Sequence, residues 1–145
     1  MIKTARENDL EILAKLAAIL WRKHSPQALA KEFSTIISSE KARFFLKYVH
    51  ETAVGFAYCQ LRYEYVEGIQ TTPVGYLEGI FVKEDYRHQG YAKELLSACE
   101  AWAKSMGCHE FASDCEWENS SSLCFHRAMG FTEANRIICF TKSLS

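Results

Sequence analysis

Hydrophobic and polar positions along this chain follow two rhythms, one helical and one alternating. Leu10, Leu13, Leu16, Ala17 and Leu20 recur at helical spacing behind Asn8 or Asp9 as a cap, and predict a helix ending near Trp21. Ser25-Pro26 starts a second helix, with Ser as the cap and Pro at the first helical position. Residues 42–50 ("ARFFLKYVH") and 53–65 ("AVGFAYCQLRYEY") are rich in aromatic and β-branched side chains, with two residues between them, and read as an antiparallel hairpin. "VEGIQTTP" is a loop, and "VGYLEGIFV" (74–82) predicts a further strand. A helix from Gly90 to about Met106 follows, with Leu95, Leu96, Cys99 and Trp102 on its apolar face and Gly107 as its stop. "EFASD" is a short strand, Asn119 opens another helix that closes at Gly130, and "RIICFTK" predicts a last strand. With Ile2 to Thr4 as a first strand the order is β-α-α-β-β-β-α-β-α-β. That order predicts an α/β fold of the α+β kind, a mixed sheet with helices on its faces.

At 145 residues the chain is expected to form one domain, 1–145. Its net charge of −1 argues against non-specific nucleic-acid binding, which needs a basic surface. The opening "MIKTARENDLEILAKL" is amphipathic and charged rather than an apolar leader, and nothing approaches the roughly 18 apolar residues of a membrane span. The expected compartment is the reducing cytoplasm. Six cysteines, at 59, 99, 108, 115, 124 and 139, include no CxxC pair and no zinc-site spacing, so they read as mostly buried thiols and no metal is expected.

Candidate chemistry begins at "KEDYRHQG", the turn between strand 74–82 and the following helix. Arg87-x-x-Gly90-x-Ala92 gives a turn whose successive N–H groups point into one space, at a helix start where phosphate is stabilised. Gly90 permits close approach of a bulky group and Ala92 keeps the helix start uncluttered. Alone, such a turn is equally well a solvated cap.

Two further features decide its reading: the strand-turn-helix context, and "NSSSLCFHRAMGF", a later helix ending Gly-Phe. Together they resemble the GCN5-related N-acetyltransferases, whose fold is a central, mostly antiparallel sheet flanked by helices. The resemblance implies acetyl-coenzyme A as co-substrate. Backbone groups of Ile80, Phe81 and Val82 would pair with the pantetheine like an added strand, and one near Ile80 would hold the thioester oxyanion. Arg87, His88, Gln89, Gly90, Tyr91, Ala92 and Lys93 would cradle the pyrophosphate, and Asn119 would reach the cofactor from the later helix.

"YEYVEG", "TTPVGYLEGIFV" and "EFASDCEWENS" resemble bacterial aminoglycoside 6'-N-acetyltransferases more narrowly. That resemblance implies Trp21, Tyr65, Glu78 and Asp114 as substrate-contacting positions, resistance to these antibiotics as the outcome, and a homodimer pairing its last strands. A polycationic sugar needs carboxylates for its ammonium groups and an aromatic face for its rings. Each residue also has a plainer reading. Glu78, mid-strand, serves as general base or pairs with an Arg; Asp114 binds substrate or forms a turn; Trp21 is platform or core. Glu116 and Glu118 read as a solvated loop. His126 stands where many relatives carry a Tyr as general acid, and is either donor or structural. Asn135 lies where relatives place an acidic substrate contact. The alternatives are a protein N-terminal or lysine acetyltransferase, and a non-catalytic acyl-coenzyme A-binding module.

Overall fold

A computed structural model describes all 145 residues. Its sheet has five strands in sequential order: β1 (Ile2–Thr4), β2 (Ala42–Val49), β3 (Thr52–Arg62), β4 (Val74–Val82) and β5 (Phe111–Ser113). The first three pairings are antiparallel and β4–β5 is parallel, as a mixed and mostly antiparallel sheet requires. Helices α1 (Leu10–Leu20) and α2 (Pro26–Ser34) cover one face; α3 (Tyr91–Ser105) covers the other, and α4 (Ser120–Ala128) follows β5.

Two-sided burial follows from the strand period. Phe44, Leu46, Phe56 and Tyr58 face Leu13, Leu16, Leu29 and Phe33 of α1 and α2. The intervening Phe45, Ala57, Cys59 and Leu61 face Leu95, Leu96, Cys99 and Trp102 of α3. The second helix begins as predicted, the Ser25 hydroxyl accepting from the Ala28 N–H at 3.1 Å. A 3₁₀ turn, Glu7–Asp9, precedes α1; buried Asp9 holds Lys3 at 2.8 Å and the Arg6 N–H at 2.9 Å.

Three expectations need correction. Strand β3 stops at Arg62, so Tyr63 and Tyr65 belong to the loop that follows. No strand forms over "RIICFTK": residues 132–145 take part in no backbone–backbone hydrogen bond, and Ile137, Ile138 and Phe140 are 70%, 81% and 87% exposed. A strand is stabilised by its ladder, and this segment finds no partner strand within its own chain. The thiols divide evenly: Cys59, Cys99 and Cys108 are buried, Cys115 is half-buried, and Cys124 and Cys139 are exposed. No helix is long and apolar enough to cross a membrane.

Candidate active site

The parallel pair β4–β5 is short. Gly75, Tyr76 and Leu77 oppose Phe111, Ala112 and Ser113, and beyond Leu77 the edge of β4 from Glu78 to Val82 has no strand beside it. This is the stretch expected to accept an added strand. Its far end is partly committed, because the Arg87 Nε donates to the Val82 carbonyl at 2.8 Å. Arg87 therefore ties the turn to the strand as well as lending it charge.

The turn itself has the geometry of an anion seat. His88 and Gly90 both take left-handed conformations, with φ of 63° and 83°, so successive peptide planes alternate. Backbone N–H groups from His88 to Lys93 donate to no group of the chain, and no side chain caps Gly90 at the start of α3. Unspent donors at a helix N-terminus, with its partial positive charge, fit a pyrophosphate. Gln89 accepts from the Tyr91 hydroxyl at 3.1 Å, and Lys93 lines an open groove of about 280 Å³ between α3 and the end of α4. Asn119 caps α4, its Oδ1 accepting from the Ser122 N–H at 3.0 Å, which leaves its amide NH₂ to reach outward.

Nothing lies within 4 Å of where a Cβ on Gly90 would stand. A side chain there meets no protein atom but strains a left-handed backbone. We expect Gly90→Val to fold and to weaken coenzyme A binding by about tenfold, since a β-branched residue leaves the left-handed conformation and binding must restore it at a cost on the order of 1–2 kcal/mol. Calorimetry with coenzyme A checks this, and unchanged affinity in a folded variant removes the turn from the cofactor site.

On the face of β3 and β4 toward α1, the polar residues form one connected group. Strand β4 carries a bulge at Glu78: Tyr58 opposes Gly79 and Cys59 opposes Leu77, so Glu78 is the extra residue. Its carboxylate takes Nε and an NH₂ of Arg62 at 3.1 and 2.9 Å and the Gln60 amide at 2.6 Å. The plainer reading of Glu78, an ion pair with an arginine, is realised. Oε2 accepts three of these bonds and Oε1 only one, from Arg62 at 2.9 Å, so Oε1 retains capacity for a further proton donor.

The Arg62 guanidinium stacks 3.5 Å from the centre of the Tyr76 ring, and the Tyr76 hydroxyl donates a short hydrogen bond to Asp114. Glu78 and Asp114 are thus joined through Arg62 and Tyr76. Burial, followed by the bond to Asp114, raises Tyr76 beyond the usual phenol range; burial, followed by the Glu78 charge, pushes Tyr58 up to about 12. Both remain protonated at neutral pH. Trp21 closes the same region, its ring so near Gly79 that a Cβ there would meet it at 2.5 Å. Its other side packs edge-on against Phe33 and Phe56, so it is part core and part wall.

A second group forms on the loop after β3. The Tyr65 hydroxyl donates to Glu67 at 2.6 Å, and the Asn135 amide donates to the same carboxylate at 3.2 Å. Glu67 bridges two predicted positions seventy residues apart, and no hydrogen bond links the trio to the Arg62 group. Glu110 anchors the loop by accepting from the N–H groups of Gln70 and Thr71 at 2.9 and 2.7 Å and from the Thr71 hydroxyl at 2.6 Å. His126 is held at both nitrogens: Nδ1 lies 2.7 Å from the Ser122 carbonyl and Nε2 lies 2.7 Å from the Ser113 hydroxyl. An Nδ1–H donor to the carbonyl makes Nε2 the acceptor in the neutral ring, and that geometry fastens α4 to β5.

Gln60, Arg62, Tyr76 and Glu110 were missed from the sequence. A signal existed for the first three: Tyr58, Gln60 and Arg62 put polar atoms at period two along β3, and Tyr76 and Glu78 do the same along β4.

Residues 11–131 match the acetyltransferase (GNAT) family. The aminoglycoside N(6')-acetyltransferase type 1 of Acinetobacter genomosp. 13 is 40% identical over 130 residues, 89% of this chain and 88% of the relative. That of Serratia marcescens is 36% identical over 145 residues, 99% of each chain. Among solved structures, AAC(6')-Iy in complex with the bisubstrate analogue CoA-S-monomethyl-acetylneamine matches with a TM-score of 0.94 at 35% identity, covering 99% of this chain and 97% of that one. The 6'-N-acetyltransferase AAC(6')-Ih from Acinetobacter baumannii matches with a TM-score of 0.91 at 38% identity, covering 100% and 99%. With an unpaired β4 edge, a turn of unspent N–H donors and this likeness along its whole length, the chain belongs to the acetyltransferase (GNAT) family and groups within it with the aminoglycoside 6'-N-acetyltransferases.

Proposed function

We propose that this chain transfers the acetyl group of acetyl-coenzyme A to the 6'-amine of aminoglycosides, in a ternary complex and without an acyl-enzyme, and thereby confers resistance. The observation that carries the reading is the linked pair Glu78 and Asp114 beside the open edge of β4. Carboxylates there meet a polycation, and the edge and turn meet the donor. Trp21 and Tyr65 supply aromatic surface, and Asn135 a polar contact.

An alkyl amine resembling lysine is mostly protonated near pH 7, since such groups titrate at about 10. Oε1 of Glu78, directly or through a water, takes the proton. The neutral nitrogen then attacks the thioester carbonyl, backbone N–H near Ile80 holds the oxyanion, the C–N bond forms, the nitrogen passes its remaining extra proton to solvent, and the C–S bond breaks. Coenzyme A leaves as a thiolate, which at a thiol pKa of about 8.5 needs no strong acid. His126, held at both nitrogens, serves to position α4.

The test is an acetylation assay offering kanamycin, a 6'-hydroxyl analogue and a basic peptide side by side. Turnover is expected with kanamycin alone; equal acetylation of the hydroxyl analogue or of the peptide overturns the reading.

We also infer a homodimer, acting in the cytoplasm, in which "RIICF" completes its ladder against a second copy. The supporting observation is the exposure of Ile137, Ile138 and Phe140, an apolar run without a partner. Light scattering at micromolar concentration is expected to give the mass of two chains, and of one chain for Ile138→Glu. A wild-type mass of one chain defeats the inference.

A further inference from the structure

Arg62 is the one cation in contact with the acidic residues of the proposed acceptor site, and a site for a polycation has no evident need of a fixed positive charge. Its contacts suggest why it is there. The guanidinium grips Glu78 through both carboxylate oxygens, at 2.9 Å each from one NH₂, with Nε adding a bond at 3.1 Å. Its flat face lies 3.5 Å from the centre of the Tyr76 ring, whose hydroxyl holds Asp114. Two-pronged pairing and stacking are geometries that a guanidinium supplies and an ammonium does not.

We propose that Arg62 is a positioning residue of the acceptor site: it sets the Glu78 carboxylate and, through Tyr76, the Asp114 carboxylate, and it disfavours the charged form of the amine about to react. This rests on the aminoglycoside reading above. The third part follows from charge. Arg62 neutralises Glu78, so within the connected group Asp114 carries the attraction for ammonium groups. An amine brought to Oε1 of Glu78 lies beside the guanidinium, and a like charge at that range favours the neutral form of the amine, which is the nucleophile.

The two roles separate in two variants. Arg62→Lys keeps the charge and loses the fork and the stack. Arg62→Met loses all three. Both are expected to bind coenzyme A with wild-type affinity by calorimetry, which shows that the fold and the cofactor turn are intact. Arg62→Lys is expected to raise the kanamycin KM about tenfold, the effect of one lost charge-assisted contact, with the acid limb of kcat against pH unmoved. Arg62→Met is expected to raise that KM less, because the unpaired Glu78 carboxylate gains attraction for ammonium groups, and to move the acid limb of kcat to higher pH, since the bound amine then gives up its proton less readily. A wild-type kanamycin KM in Arg62→Lys, an unmoved acid limb in Arg62→Met, or an equal rise in the acetyl-coenzyme A KM overturns the proposal. Failure of the aminoglycoside reading is seen separately, as a wild-type protein that does not acetylate kanamycin.

Discussion

Glu78→Gln lowers kcat for a 6'-amino aminoglycoside by about 10²-fold near neutral pH, and by less as the pH rises. General-base assistance contributes about 10²–10⁴-fold in enzymes that use it. The low end applies because Arg62 and Gln60 already share this carboxylate, leaving Oε1 as the atom with capacity to spare. The glutamine side chain is close in size and keeps an oxygen for Arg62, so the bulge in β4 survives and the loss reads on proton transfer. The sign of the pH effect follows from the substrate. At low pH the amine arrives as ammonium and cannot attack until a base removes its proton; at high pH it arrives neutral and needs the carboxylate less. Steady-state kcat from pH 6 to pH 9 with kanamycin, for wild type and variant, measures this. A constant ratio across that range, or no loss at all, takes the base role from Glu78 and leaves it as the partner of Arg62.

The turn and helix of the proposed cofactor end were legible in the sequence because their determinants are local. Gly90 with left-handed φ, a run of N–H groups opening α3, and an apolar stripe of Leu95, Leu96, Cys99 and Trp102 all lie within one short stretch of chain. Each is set by neighbours three or four residues away, the range over which helical spacing operates. The acceptor end was legible only as a set of names. Glu78 and Asp114 were marked as acids, but what holds them depends on how β3 and β4 are aligned, and the bulge that makes Glu78 the extra residue is a property of two strands together. Arg62 reads from the sequence as one polar position inside the strand 53–65, and Glu67 as one acid of a loop. Their roles come from Tyr76 and from Asn135, which the fold brings in from elsewhere. "RIICF" shows the opposite failure. Its composition favours a strand, but a strand also needs a partner, and one chain does not contain it.

Asp114 gives the second large effect, and it falls on binding. Asp114→Asn is expected to raise the kanamycin KM by roughly 10- to 150-fold with kcat within a few-fold of wild type. That range corresponds to a lost charge-assisted contact of about 1.5–3 kcal/mol. Asparagine isolates the charge, because its amide oxygen still accepts from the Tyr76 hydroxyl, which stays protonated at neutral pH through burial and its bond to Asp114. The carboxylate is exposed, at the end of β5, so its attraction for an ammonium group is screened by salt. The wild-type KM is therefore expected to rise with ionic strength more steeply than that of Asp114→Asn. Arg62 sharpens the contrast: with Glu78 neutralised by the guanidinium, Asp114 is the acid of the connected group left without a cation. Kinetics of wild type and Asp114→Asn with kanamycin at low and high salt decide the matter. Equal KM values at low salt, or parallel salt dependence in the two proteins, show that Asp114 shapes the end of β5 and does not attract the substrate.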